Sequence, residues 1–114
     1  MTTIKQEDFI QSIADAYQFI SYYHPADFIK AMAAAYEHEQ SPAAKDAIAQ
    51  ILTNSRQCAE GRRPICQDTG IVNVFVKIGM QARLEGFQGS LEDAINEGVR
   101  LGYQHPDNPL RASV

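Results

Sequence analysis

Residues 62–70 read Arg-Arg-Pro-Ile-Cys-Gln-Asp-Thr-Gly, so a thiol, an amide, a carboxylate and a hydroxyl stand side by side from Cys66 to Thr69. As a thiolate, Cys66 can bind a metal or attack an electrophile, and the guanidinium groups of Arg62 and Arg63 favour that form. A half-buried cysteine acting as a small apolar residue satisfies the same local sequence. The residues alone leave both readings open. Asp68 also has two uses: proton transfer, or accepting backbone N–H groups in a turn before Gly70. Gln67 does not titrate, but its amide can donate to a substrate carboxylate. Thr69-Gly70 most simply forms a turn into the next segment. Near the other end, Asn108-Pro109-Leu110-Arg111 places Arg111 on a turn, where it can grip a carboxylate with two parallel hydrogen bonds or simply be solvated. Cys58 reads as a small core residue on a helix. The Cys-x7-Cys spacing of Cys58 and Cys66 matches no zinc or ferredoxin pattern, which argues against a metal site built from this segment alone. His24, His38 and His105 are isolated, and His24 and His105 precede prolines, as caps and surface residues do.

These groups need elements to position them. Phe9, Ile10, Ile13, Tyr17 and Ile20 recur at helical spacing and predict a first helix over about 3–23. Pro25 sits where a first helical position is expected. It leads into a second helix carrying Phe28, Ile29, Met32, Ala33 and Tyr36. Ser41-Pro42 caps a third helix, with Ala44, Ala47, Ile48, Ile51, Leu52 and Ser55 along it and Gly61 as its stop. Residues 71–79 are β-branched and aromatic, with Val72, Val74, Val76 and Ile78 on one face, and give the clearest strand. Ser90 and Asp93 predict a capping box for a fourth helix over about 91–104, with the stripe Leu91, Ala94, Ile95, Val99 and Leu101. The expected fold class is α+β and mainly helical: three helices, then a strand and a further helix. One strand makes no sheet, so 71–79 needs a partner either in 81–88 or beyond residue 114.

Composition narrows the function classes. The chain has 114 residues, 45% hydrophobic and 21% charged, enough for one small folded domain. A net charge of −4 argues against nucleic acid or an anionic membrane as partner. No apolar run reaches membrane-spanning length, and the start, MTTIKQEDF, is not a secretory signal. Two cysteines make no disulfide framework, so a reducing cytoplasm is the expected compartment. The last residues, DNPLRASV, carry no terminal helix or tail and read as part of a longer chain.

The segment RPICQDTGIVNVFVKIG, with ILTNSRQCAEG before it and INEGVRLGYQHPDNPLRASV after it, resembles the N-terminal part of class I fumarate hydratases. These are iron–sulfur hydro-lyases related to tartrate dehydratase alpha subunits. The earlier stretch from Phe9 to Leu52 resembles the long single-chain bacterial forms, so the likeness covers essentially the whole chain. It implies that residues 1–114 are the N-terminal part of a larger alpha-subunit-like domain. It implies fumarate–malate interconversion at a [4Fe-4S] cluster held by three cysteines, with the fourth iron open to substrate. On this likeness Cys66 is one cluster ligand and Cys58 is none. Gln67, Asp68 and Arg111 contact the dicarboxylate, and Asp68 is a candidate for proton transfer. The other ligands and the catalytic base lie downstream in the family, and a homodimer is usual there. The 114-residue chain alone is then expected to hold no cluster and to be inactive. Tartrate or mesaconate dehydration is the alternative within the family. Outside it stand a helical interaction or thiol-switch module using Cys58 with Cys66, and a thiol enzyme with Cys66 as nucleophile.

Overall fold

A computed structural model describes residues 1–68 and 70–106. In chain order the elements are β1 (Thr2–Lys5), α1 (Gln6–Tyr22), α2 (Ala26–His38), α3 (Pro42–Gly61), β2 (Ala82–Glu85) and α4 (Leu91–Gln104). The mainly helical α+β class is therefore what the chain adopts. Its contacts divide the described residues into two compact units, residues 1–18 with 68 and 70–106, and residues 19–67.

In the first unit, β1 and β2 pair in parallel, with Thr2 opposite Ala82 and Lys5 opposite Glu85. This corrects the sequence expectation twice. Residues 2–5 are a strand and not the first turn of a helix, and residues 71–79 form no regular strand. The second difference has a clear physical basis. β structure is completed by hydrogen bonds to another segment, so propensity alone cannot produce it. The alternation itself survives: Val72, Val74, Val76 and Ile78 are 37–46% exposed, whereas Ile71 and Phe75 are 85% and 96% exposed. The period-two pattern is intact, but among the described residues no strand pairs with it.

The same unit packs α4 onto the first four turns of α1 through a stripe of small residues. Ala94, Gly98 and Gly102 are the buried positions of α4, one turn apart. A Cβ on Gly98 would stand 2.6 Å from the Ile13 Cβ and 2.8 Å from the Ile10 carbonyl oxygen. The helices thus meet backbone to backbone, which only glycine permits. Next to the contact, Gln18 Nε2 donates to the Gly102 carbonyl at 2.7 Å, and the Tyr17 and Tyr103 rings lie 4.9 Å apart. Burial, reinforced by a hydrogen bond to Tyr103, pushes the Tyr17 phenol above its ordinary range. The apolar stripe read from the sequence included Ala94 but not the two glycines.

Helix α4 starts where the capping box predicts. The Asp93 N–H donates to Ser90 Oγ at 3.0 Å, and Ser90 N–H donates to Asp93 Oδ2 at 2.8 Å. The backbone bond from Ser90 holds the Asp93 carboxyl below its usual value, and Arg100 does the same for Glu97. A depressed carboxyl stabilises the fold above its unfolded-state pKa and loses that contribution as pH falls through its folded value. We therefore expect Ser90→Ala to destabilise α4 by about 1 kcal/mol at neutral pH. The Ser90 N–H bond to Asp93 survives that change, so Asp93→Asn is the variant that tests the carboxylate. Thermal melts should show its gap from wild type narrowing as pH falls below the ordinary carboxylate range, and an unchanged gap in acid would remove the charge from the cap's energetics.

In the second unit, α2 and α3 pack against each other. Pro25 is the N-cap of α2, so the helix starts one residue later than expected, and the Pro25 carbonyl accepts from Ile29 N–H at 3.2 Å. Ser41 caps α3 as predicted, accepting from Ala44 N–H with Pro42 in the first turn. His24, expected at the surface or as a cap, is instead half-buried. It shares a 2.9 Å hydrogen bond with the buried Ser55 hydroxyl and stacks on Phe28 at 4.5 Å. His105 is the C-cap of α4, in line with expectation.

Candidate functional site

The candidate loop begins where α3 ends. Gly61 remains helical, and Arg62 takes the left-handed C-cap position with φ 48° and ψ 52°. Sequence reasoning expected Gly61 to end the helix, because a left-handed residue there is usually glycine. Placing arginine in this conformation costs on the order of 1 kcal/mol, which the contacts beyond it must offset.

Those contacts come from α3 and from the last turn of α1. Arg63 N–H donates to the Cys58 carbonyl at 3.1 Å, and Ile65 N–H donates to the Ser21 carbonyl at 3.1 Å. The Cys58 thiol donates toward the Pro64 carbonyl at 3.4 Å and lies 3.6 Å from Asn54 Oδ1. Asn54 Nδ2 donates to the Ile65 carbonyl at 2.9 Å. The backbone from 63 to 65 is thereby gripped on both its N–H and C=O sides, immediately before Cys66.

Cys66 and Gln67 follow at the end of this unit and are exposed, and neither Cys66 nor Cys58 is in a disulfide. The division between the two units falls between Gln67 and Asp68. In the other unit, Asp68 Oδ1 accepts from Gly70 N–H at 2.8 Å, and Gly70 adopts φ +59°. Asp68 thus does form the turn that its sequence position allows. Thr69 and Arg111 lie outside the described residues, as does the whole Asn108–Arg111 segment. Cys58 is buried at 3% exposure, as expected for a core residue. Its thiol also acts as a donor to the loop, a role that sequence reasoning missed, as it missed Asn54. The usable signal was the four-residue spacing of Asn54 and Cys58, which puts both on one helical face in the last two turns of α3.

The donor chemistry bears on a cluster. An exposed thiol in a loop fits a thiolate ligand. Among the described residues no three His, Cys, Asp or Glu side chains converge to hold a metal ion. The chain has two cysteines in all, one of them buried and turned to other partners, so it does not furnish a three-thiolate set. Among the described residues no helix is long and apolar enough to cross a membrane.

The family model described as fumarate hydratase (Fumerase) matches residues 10–114. The chain belongs to the fumarate hydratase family. A Methanocaldococcus jannaschii protein assigned as an L(+)-tartrate dehydratase subunit alpha is 31% identical over 102 residues, which is 90% of this chain and 35% of that relative. The chain therefore spans about a third of the length of the curated relative it matches. No solved structure matches it. Membership makes this a hydro-lyase-family chain, and the segment RPICQDTGIVNVFVKIG that headed the resemblance lies within the matched residues.

Proposed function

We propose that this chain is part of a class I hydro-lyase that interconverts fumarate and (S)-malate, with Cys66 as one ligand of a [4Fe-4S] cluster. The single observation that carries this reading is an exposed thiol, outside any disulfide, at the head of the Cys66–Gly70 loop in a chain of this family. When bound, such a cluster supplies an open iron as a Lewis acid for the substrate's oxygens. This chain's own residues supply the rest. The Gln67 amide donates to a substrate carboxylate and orients it. Asp68 moves a proton between substrate carbon or oxygen and solvent. The Arg111 guanidinium holds the distal carboxylate in bidentate fashion. The whole protein works as a homodimer in the cytoplasm on a small dicarboxylate, without nucleic acid or membrane. The other two ligands and the catalytic base come from polypeptide outside these residues.

Asp68→Asn separates the proton-transfer role from the turn. Asparagine keeps an Oδ1 acceptor for Gly70 N–H, so the loop should hold. In the complete enzyme, turnover should fall about 10²- to 10⁴-fold with KM nearly unchanged. Turnover within a few-fold of wild type would remove Asp68 from the chemistry. Dehydration of L(+)-tartrate is the second reading, favoured by the assignment of the M. jannaschii relative. Comparing kcat/KM for fumarate and L(+)-tartrate on one preparation decides between them.

A further inference from the structure

We infer that Asn54 and Cys58 are positioning residues that hold the approach to Cys66, so that α3 and not the loop's own sequence sets where that thiol stands. The inference rests on the ligand reading of Cys66 for its purpose, but the holding itself can be tested whatever Cys66 binds.

The hydrogen-bond logic around Asn54 has one solution. The Ile65 carbonyl can only accept, so the Asn54 atom 2.9 Å from it must be the amide nitrogen. That orientation turns Oδ1 toward Cys58, whose one S–H is shared between this oxygen at 3.6 Å and the Pro64 carbonyl at 3.4 Å. One side chain therefore grips the carbonyl of the residue directly before Cys66, and the other reaches the carbonyl one residue earlier. Pro64 offers no N–H, so its carbonyl is the one polar backbone group by which that residue can be held. On the opposite side, Ile65 N–H is bonded to Ser21 and Arg63 N–H to the Cys58 carbonyl. Three successive residues after a left-handed Arg62 are thus tied to helical elements, while Cys66 itself stays exposed. A cluster ligand needs this arrangement: an accessible sulfur on a backbone that does not wander.

The test is amide hydrogen–deuterium exchange on the 114-residue chain, resolved to single amides by NMR. Asn54→Asp keeps the shape but removes the donor and sets a carboxylate against the Ile65 carbonyl. Exchange at Arg63 and Ile65 should rise about tenfold, with α2 and the body of α3 within about twofold of wild type. Cys58→Ser keeps a donor and should stay near wild type, whereas Cys58→Ala should behave like Asn54→Asp. This rescue by serine separates hydrogen bonding from mere packing. Unchanged exchange at Arg63 and Ile65 in Asn54→Asp would overturn the inference. So would an equal rise across all of α2 and α3, or a Cys58→Ser variant as fast as Cys58→Ala. Neither result touches the ligand reading, which falls only if a cluster assembles without Cys66.

Discussion

Replacing Cys66 with serine should abolish the iron–sulfur chromophore and the fumarate–malate turnover of the polypeptide extended to the length of its relative and assembled anaerobically with iron and sulfide. Serine offers a hard, ordinarily protonated oxygen where a soft thiolate is wanted, so the cluster loses a matched ligand. Mutating a residue that merely supports a ligand typically costs 10- to 100-fold in metal affinity, and loss of the ligand should exceed about 100-fold. The 114-residue chain alone should take up no cluster under the same conditions, because its two cysteines cannot make up three thiolates. Absorbance and turnover measured together are decisive. If both survive in Cys66→Ser, Cys66 is not a ligand and the thiol-enzyme and thiol-switch readings move forward. If both vanish while the Cys58→Ser protein keeps them, the thiol switch is excluded, since a switch needs both sulfurs.

Gly98→Val should produce a large loss of stability. The first carbon added would stand 2.6 Å from the Ile13 Cβ and 2.8 Å from the Ile10 carbonyl oxygen. Those neighbours include backbone, which cannot rotate away as a side chain could. Glycine ordinarily costs a helix interior about 1 kcal/mol relative to alanine, so on propensity alone filling the position would help. Overpacking costs about 1–3 kcal/mol for a modest intrusion and more for a rigid one, and a β-branched side chain against backbone is rigid. The steric term wins, and we expect a net loss of about 3 kcal/mol. Asn96→Val, on the exposed side of the same helix, should change stability by no more than about 0.5 kcal/mol. Circular dichroism melts of the two variants check this. Equal melting temperatures would mean that α4 does not rest on α1 through its glycines.

Local signals were readable wherever one segment completes its own hydrogen bonds. The Ser90–Asp93 box and the Ser41-Pro42 start are satisfied within a few residues of sequence, so the starts of α4 and α3 could be read directly. The reach of α1 was misjudged because Thr2–Lys5 is only four residues long and its partner lies some eighty residues away. The opposite error arose at 71–79, where a strong β-branched alternation predicted a strand that no described segment pairs with. Without a pairing segment its apolar side chains stay exposed, Phe75 at 96%, where a paired strand would bury one face.

At the site the division is similar. Sequence by itself determined the chemistry on offer: a thiol, an amide and a carboxylate in one loop, in a chain that resembles and belongs to a hydro-lyase family. It also determined that no three-cysteine ligand set is present, because that is a count. Only tertiary structure decided that Cys66 is exposed, that the Cys58 thiol and Asn54 reach the Pro64 and Ile65 carbonyls, and that Gly98 and Gly102 are contact surface and not gaps in a stripe. The physical reason is common to all of these. Residue type sets what a group can donate, accept or ligate, whereas burial and hydrogen-bond partnership depend on segments far apart in the chain being brought within a few ångströms.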